Sequence, residues 1–278
     1  MRSLCCGSLA VVLVSTAAAG PIELQIDQTQ STADVELCLT ILFTACDTDT
    51  TPVAESVTVS LDCPIAPGDI SLHDFVFQLA EDVALNLSFG FGDFDSIGYD
   101  VEVTYADAGN PLPPVAVSDN AFAFTNVPAQ VTGLLAYEAT GLVCNAFSSY
   151  GYDCIGAIDL ITIPLDPLDM DGTITVSGND VTLTLDTFIS APVDPANPEL
   201  GTFTIDATML AGGVSPSLWP GDLTGDDRVD LADHGRFVGC LAGPGPAAIG
   251  ACQCADLDED DDVDLEDFAG FQVAFEGP

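Results

Sequence analysis

The chain has 278 residues, 48% of them apolar, and a formal net charge of −41 from 44 acidic and 3 basic side chains. That length and apolar content allow one large domain plus a small one and argue against disorder. So acidic a surface repels phosphate backbones and anionic lipid, which argues against nucleic acid or an anionic membrane face as partner. It suits a medium rich in salt or divalent cations, and it equally suits a secreted protein kept soluble by charge.

Residues 1–19 read as a signal peptide. Arg2 supplies the positive start, Leu4 to Val14 is an apolar run, and Ala17-Ala18-Ala19 offers small residues for cleavage before Gly20. The run is too short to span a bilayer, and no other segment is long and apolar enough. The expectation is an exported protein without a membrane span. Removal of the leader leaves Arg228 and Arg236 as the only Lys or Arg residues.

Residues 20–212 alternate apolar and polar and are rich in Val, Ile, Thr and Phe, which predicts strands. The segments expected to be strands are Val35–Phe43, Ser56–Leu61, Ile70–Leu79, Val83–Phe89, Val101–Tyr105, Ala121–Thr125, Val131–Tyr137, Ile158–Ile163 and Thr202–Thr208. Thr173–Ser177 and Asp180–Leu185 flank Gly178-Asn179, a pair that tolerates the positive φ of a two-residue hairpin turn. No amphipathic helix of useful length is expected here. Many short strands with regular turns predict a mainly β fold, a β-sandwich, with a barrel as the alternative.

Chemistry in this region is sparse. His73, beside Asp74, is the single candidate for a Ser-His-Asp base, and an ordinary strand histidine is the competing reading. Paired carboxylates of the glycosidase kind are marked out by no motif. Asp93-Phe94-Asp95 and Asp169-Met170-Asp171-Gly172 fit either turn chemistry or fragments of a cation site. The strand pattern stops in a linker at 213–220. Its Trp219, the only tryptophan, is either a docking aromatic or a stacking platform for sugar.

Residues 221–278 carry a repeat. From Asp256 to Asp267, nine of twelve residues are carboxylates and none is a cation. Asp256, Asp258, Asp260, Asp264 and Asp267 occupy positions 1, 3, 5, 9 and 12 of a calcium loop, and Asp262 occupies position 7, which ligates through its carbonyl. An offset of 34 residues places Asp222, Thr224, Asp226, Arg228, Asp230 and Asp233 at the same positions. Val229 and Val263 share position 8, and Asp227 and Asp261 stand at position 6, where glycine is usual and a positive φ is needed. After the loops Phe237 matches Phe271 and Leu241 matches Phe275, with Phe268, Phe271 and Phe275 on one helical face as a small core. Two calcium ions are expected, the second loop binding the tighter.

These paired loop-helix repeats resemble a dockerin, the calcium-binding anchoring module of secreted bacterial proteins. The resemblance implies a small α-helical module after the sandwich, an extracellular cohesin-like partner and a link to polysaccharide breakdown. Positions 10 and 11, small hydroxyl residues in many dockerins, hold Leu231 and Ala232 in one copy and Leu265 and Glu266 in the other. Three roles follow for the whole chain: a tethered sandwich, a secreted polysaccharide hydrolase carrying the module, or a self-associating matrix protein.

Export favours disulfides. Cys38, Cys46, Cys63, Cys144 and Cys154 lie in the sandwich region; Cys240, Cys252 and Cys254 lie in the repeat. Both counts are odd, so one cysteine of each set either pairs across the boundary or stays free. The expected bridges are Cys144–Cys154 and Cys240–Cys252.

Overall fold

A computed structural model of the chain describes residues 21–63, 66–215, 221–224, 228–245, 247–248, 250–258 and 260–275. The expected signal peptide, Trp219, Asp226 and Asp227 lie outside the described residues. The chain enters as β1 (Ile22–Ile26), β2 (Thr32–Thr40) and a long β3 (Thr44–Leu61). β4 (Asp69–Leu79), β5 (Val83–Ser88), β6 (Asp93–Tyr105), a short β7 (Val115–Ala116), β8 (Ala121–Val127) and β9 (Ala129–Ala139) follow. Helix α1 (Gly141–Ser149) precedes β10 (Ile155–Asp159), β11 (Leu168–Ser177), β12 (Asp180–Pro192) and β13 (Gly201–Val214). The C-terminal part holds α2 (Leu231–Cys240), a 3-10 turn (Gly250–Ala255) and α3 (Leu265–Ala274).

The alternation produces the strands it predicts. In β5, Val83, Leu85 and Leu87 point inward while Ala84, Asn86 and Ser88 face solvent. All pairings are antiparallel, in the order β10-β9-β6-β4-β3-β1-β13-β12-β11-β8. β2 continues the line of β1 between β3 and β13. Inward side chains from the long strands meet in one core, so this wide sheet folds back over itself as a β-sandwich. The β11–β12 hairpin turns at Gly178-Asn179, with Gly178 at φ +62° and Ser177 opposite Asp180.

Three expectations need correction. β2 ends at Thr40, leaving Leu42 and Phe43 exposed at the tip of its hairpin with β3. Beyond Asp159 the chain forms a 3-10 turn, Leu160–Thr162, because the Asp159 carboxylate accepts the Ile161 N–H and halts the ladder. A helix also stands in the β region. α1 buries Val143 and Phe147, four apart on one face, with Phe147 5.0 Å from the ring of Phe94.

Eight cysteines form four bridges: Cys38–Cys46, Cys63–Cys254, Cys144–Cys154 and Cys240–Cys252. The two expected pairs are present, and the odd cysteines pair across the boundary. Cys63 lies in the turn between β3 and β4, so the bridge fixes the C-terminal helices to the sandwich.

Candidate metal centre

The C-terminal repeat is visible as repeated geometry. In each copy position 9 is the N-cap of the exit helix and position 12 is its third residue, so the two form a capping box. The Asp230 carboxylate accepts the Ala232 N–H at 2.8 Å, and Asp264 accepts Glu266 N–H at 2.7 Å. Position 12 gathers the loop around itself. Asp233 accepts the N–H groups of Leu223, Thr224 and Asp230, each at 2.8 Å. Asp267 accepts those of Leu257 (2.6 Å), Asp258 (3.3 Å) and Asp264 (2.7 Å). Both are fully buried, at 0% and 1% exposure. A carboxylate has about four lone-pair sites, so three N–H bonds leave each position-12 residue roughly one for a cation.

The second loop concentrates acid. Ligand oxygens of Asp256, Asp258 and Asp267 lie within 4.8 Å of one another, as do those of Asp258, Asp260 and Glu266, and those of Asp262, Asp264 and Asp267. Partial desolvation by its neighbours and the charges of Asp260, Asp267, Glu266 and Asp256 push the exposed Asp258 carboxyl up from its ordinary value. Asp261 takes φ +72°, the left-handed turn required at position 6. Asp256 accepts the N–H groups of Asp260 (3.2 Å) and Asp261 (3.0 Å), which curls the loop back on its first residue. Glu266 belongs to this cluster, although the sequence reading gave it no ligand position. Asp262 Oδ2 takes the Gly245 N–H at 2.8 Å while its Oδ1 is buried without a hydrogen-bond partner.

Positions 1 and 3 of the first loop are more enclosed. Asp222 and Thr224 are 1% and 4% exposed, and the Thr224 hydroxyl, at position 3, has no hydrogen-bond partner. Arg228 is exposed at position 7. Val229 and Val263 are both buried in a second core with Leu223, Phe237, Ala255 and Phe271. Phe268 and Phe275 pack against it, but Leu241 is 40% exposed, because the helix has ended and turned it outward. Every donor on offer in both loops is oxygen, the set a hard divalent cation takes. The buried Thr224 hydroxyl adds a neutral oxygen without a hydrogen-bond partner to that set in the first.

No protein-family model, no curated protein and no solved structure matches the chain.

The other candidates resolve into structure. His73 is the extra residue of a bulge in β4, and its Nε2 lies 2.9 Å from Ser60 Oγ. Ser60 is only 2% exposed, so its hydroxyl cannot reach a substrate carbonyl. His234 packs its ring against Phe268 and Phe271. Asp169 and Asp171 lie within β11 and not in a turn; Asp169 accepts the Asn126 N–H at 3.1 Å where the β11–β8 register shifts. Asp93 accepts the Ser88 hydroxyl at 2.7 Å across the β5–β6 turn. Glu36, Cys38 and Cys46 also cluster, but those two cysteines are bridged and offer no thiolate.

Two residues gained importance only in the folded chain. Arg236 Nη1 donates to the carbonyls of Leu223 (2.6 Å) and Asp62 (3.3 Å), linking the first loop to the β3–β4 turn. Burial pushes its guanidinium below the ordinary value, opposed by the charges of Asp62, Asp233 and Asp222. Cys63 is 0% exposed and forms part of the C-terminal core. The odd cysteine counts were the one signal in the sequence for this junction.

Proposed function

We propose that the C-terminal repeat is a dockerin-like module binding two calcium ions, and that it anchors an exported β-sandwich to another extracellular protein. The observation that carries this is the duplicated construction. Two loops 34 residues apart share one pattern of position-12 acceptors and capping boxes around oxygen-only donor sets. Asp222, Thr224, Asp226, Asp230 and Asp233 would hold one ion, with the Arg228 carbonyl. Asp256, Asp258, Asp260, Asp264 and Asp267 would hold the other, with the Asp262 carbonyl. The ions would supply positive charge that the second loop lacks altogether and the first has only in Arg228. The protein's own residues do the rest: positions 9 and 12 start the helices, and position 8 buries the loop against the shared core. The role is structural and the reading includes no catalytic residue. Leu231 and Leu265, 61% and 73% exposed at the helix starts, offer a partner two apolar contacts. By that resemblance the partner would be a cohesin-like protein and the assembly one of polysaccharide breakdown.

Terbium luminescence and calorimetric calcium titration of the full chain test the proposal. Two sites lost stepwise by Asp222→Ala and Asp256→Ala are expected; an unchanged isotherm in both variants refutes it. Calcium-dependent capture of a purified cohesin domain tests the partner class.

A further inference from the structure

The turn between β3 and β4 is anchored in two cores at once. Its flanks, Leu61 and Ile70, are 0% exposed in the sandwich core, while Cys63 and Ala66 between them pack in the C-terminal core. The Asp62 carboxylate holds the turn closed by accepting the N–H groups of Cys63 (2.8 Å), Gly68 (2.9 Å) and Asp69 (2.9 Å). Each acidic loop then reaches the turn by its own route. From the first loop, Leu223 passes its N–H to Asp233 and its carbonyl to Arg236, whose guanidinium also binds the Asp62 carbonyl. From the second, Cys254, two residues before Asp256, is bridged to Cys63. The two routes end on adjacent residues of one turn.

We infer that this turn, with Arg236 and the Cys63–Cys254 bridge, is a latch that couples cation loading of both loops to the stability of the sandwich. The inference rests on the calcium reading for its metal-dependent part only. A loop without its ion is strained by like charge, and that strain reaches β3 and β4 through the buried Cys63–Cys254 bridge and the part-buried hydrogen bonds of Arg236. A loaded loop holds the turn and with it the sandwich edge. The C-terminal module is thus a fixed cap, and any partner that binds it orients the sandwich too.

Deuterium exchange of the full chain along a thermal ramp, resolved to peptides from β3, β4, α2 and α3, provides the test. With calcium a hundredfold above the Kd of both sites, all four sets of peptides should lose protection together, roughly 10–20 °C later than in chelator. In the variant Cys63→Ala/Cys254→Ala/Arg236→Gln, calcium should shift α2 and α3 and leave β3 and β4 unmoved. Arg236→Gln alone keeps the covalent route and should reduce the β-strand shift without abolishing it, which serves if the triple variant does not fold. Wild-type β3 and β4 that ignore calcium while α2 and α3 respond would overturn the latch. If nothing responds to calcium, the calcium reading fails and the chelator arm decides. One joint transition in wild type, split in two by the variants, upholds the latch; two transitions in wild type overturn it.

Discussion

His73 shows what a half-buried bulge costs a titratable side chain. Burial holds its imidazole below the ordinary value of 6.5, so the folded chain binds that proton less readily than the unfolded chain. The sign follows from linkage: between pH 6.5 and the lowered folded value, the unfolded state carries more protons, and stability falls as pH falls. Above 6.5 the contribution is complete. His73→Gln keeps a partner for Ser60 but does not titrate. Its urea midpoint should approach or exceed that of the wild type as pH drops below 6.5. An imidazole titrating above 6.5 by NMR would contradict the assignment. At the candidate metal centre, Asp256 belongs to a loop offering five side-chain carboxylates, whereas Thr224 leaves the first loop with four. Ligand charge raises affinity for calcium. Asp256→Ala should therefore cost more binding energy than Asp222→Ala, since the second site is expected to bind about tenfold tighter, roughly 1.4 kcal/mol. Calorimetry on the two variants ranks the sites.

Among the elements, α3 makes two demands on one side chain. Asp264 caps the helix and also belongs to the acidic cluster, and the two roles separate by chemistry. Asp264→Asn retains an oxygen acceptor for the cap; Asp264→Ala does not. In chelator only the alanine variant should lose helix stability, by about 1 kcal/mol. With calcium both should bind it more weakly. Circular dichroism with and without calcium reads the difference, and equal helix loss in chelator would remove the capping role. α1 was illegible in the sequence because Gly-Leu-Val-Cys-Asn-Ala-Phe-Ser-Ser contains few strong helix formers. Long-range contacts hold it: Phe147 in the core, the bridge to Cys154, and the close approach of Gly92 to Thr140. A Cβ at Gly92 would stand 2.2 Å from the Thr140 carbonyl oxygen, so Gly92→Ala should destabilise by about 1–3 kcal/mol. Gly235, in α2, has open space, and Gly235→Ala should stabilise by up to about 1 kcal/mol. Urea midpoints should move in opposite directions.

For the whole molecule, the covalent map is the decisive measurement. Non-reducing peptide mapping should recover Cys38–Cys46, Cys63–Cys254, Cys144–Cys154 and Cys240–Cys252, and a free Cys63 would detach the module from the sandwich. The Cys63–Cys254 bridge spans 191 residues. In chain-entropy terms such a closure stabilises by about 5 kcal/mol. Sequence alone determined the mainly β class, most strand positions, the β11–β12 hairpin and the duplicated acidic loops. Those signals are local: a period of two, a Gly-Asn turn, and ligand positions within twelve residues. It also showed, by parity, that one cysteine of each part either pairs across the boundary or stays free. Only the tertiary structure decided which cysteine crosses and that Arg236 joins the first loop to Asp62. It also put the Ser60 hydroxyl beyond a substrate's reach. Each of these depends on segments distant in sequence, or on burial, and neither is encoded in the order of neighbouring residues.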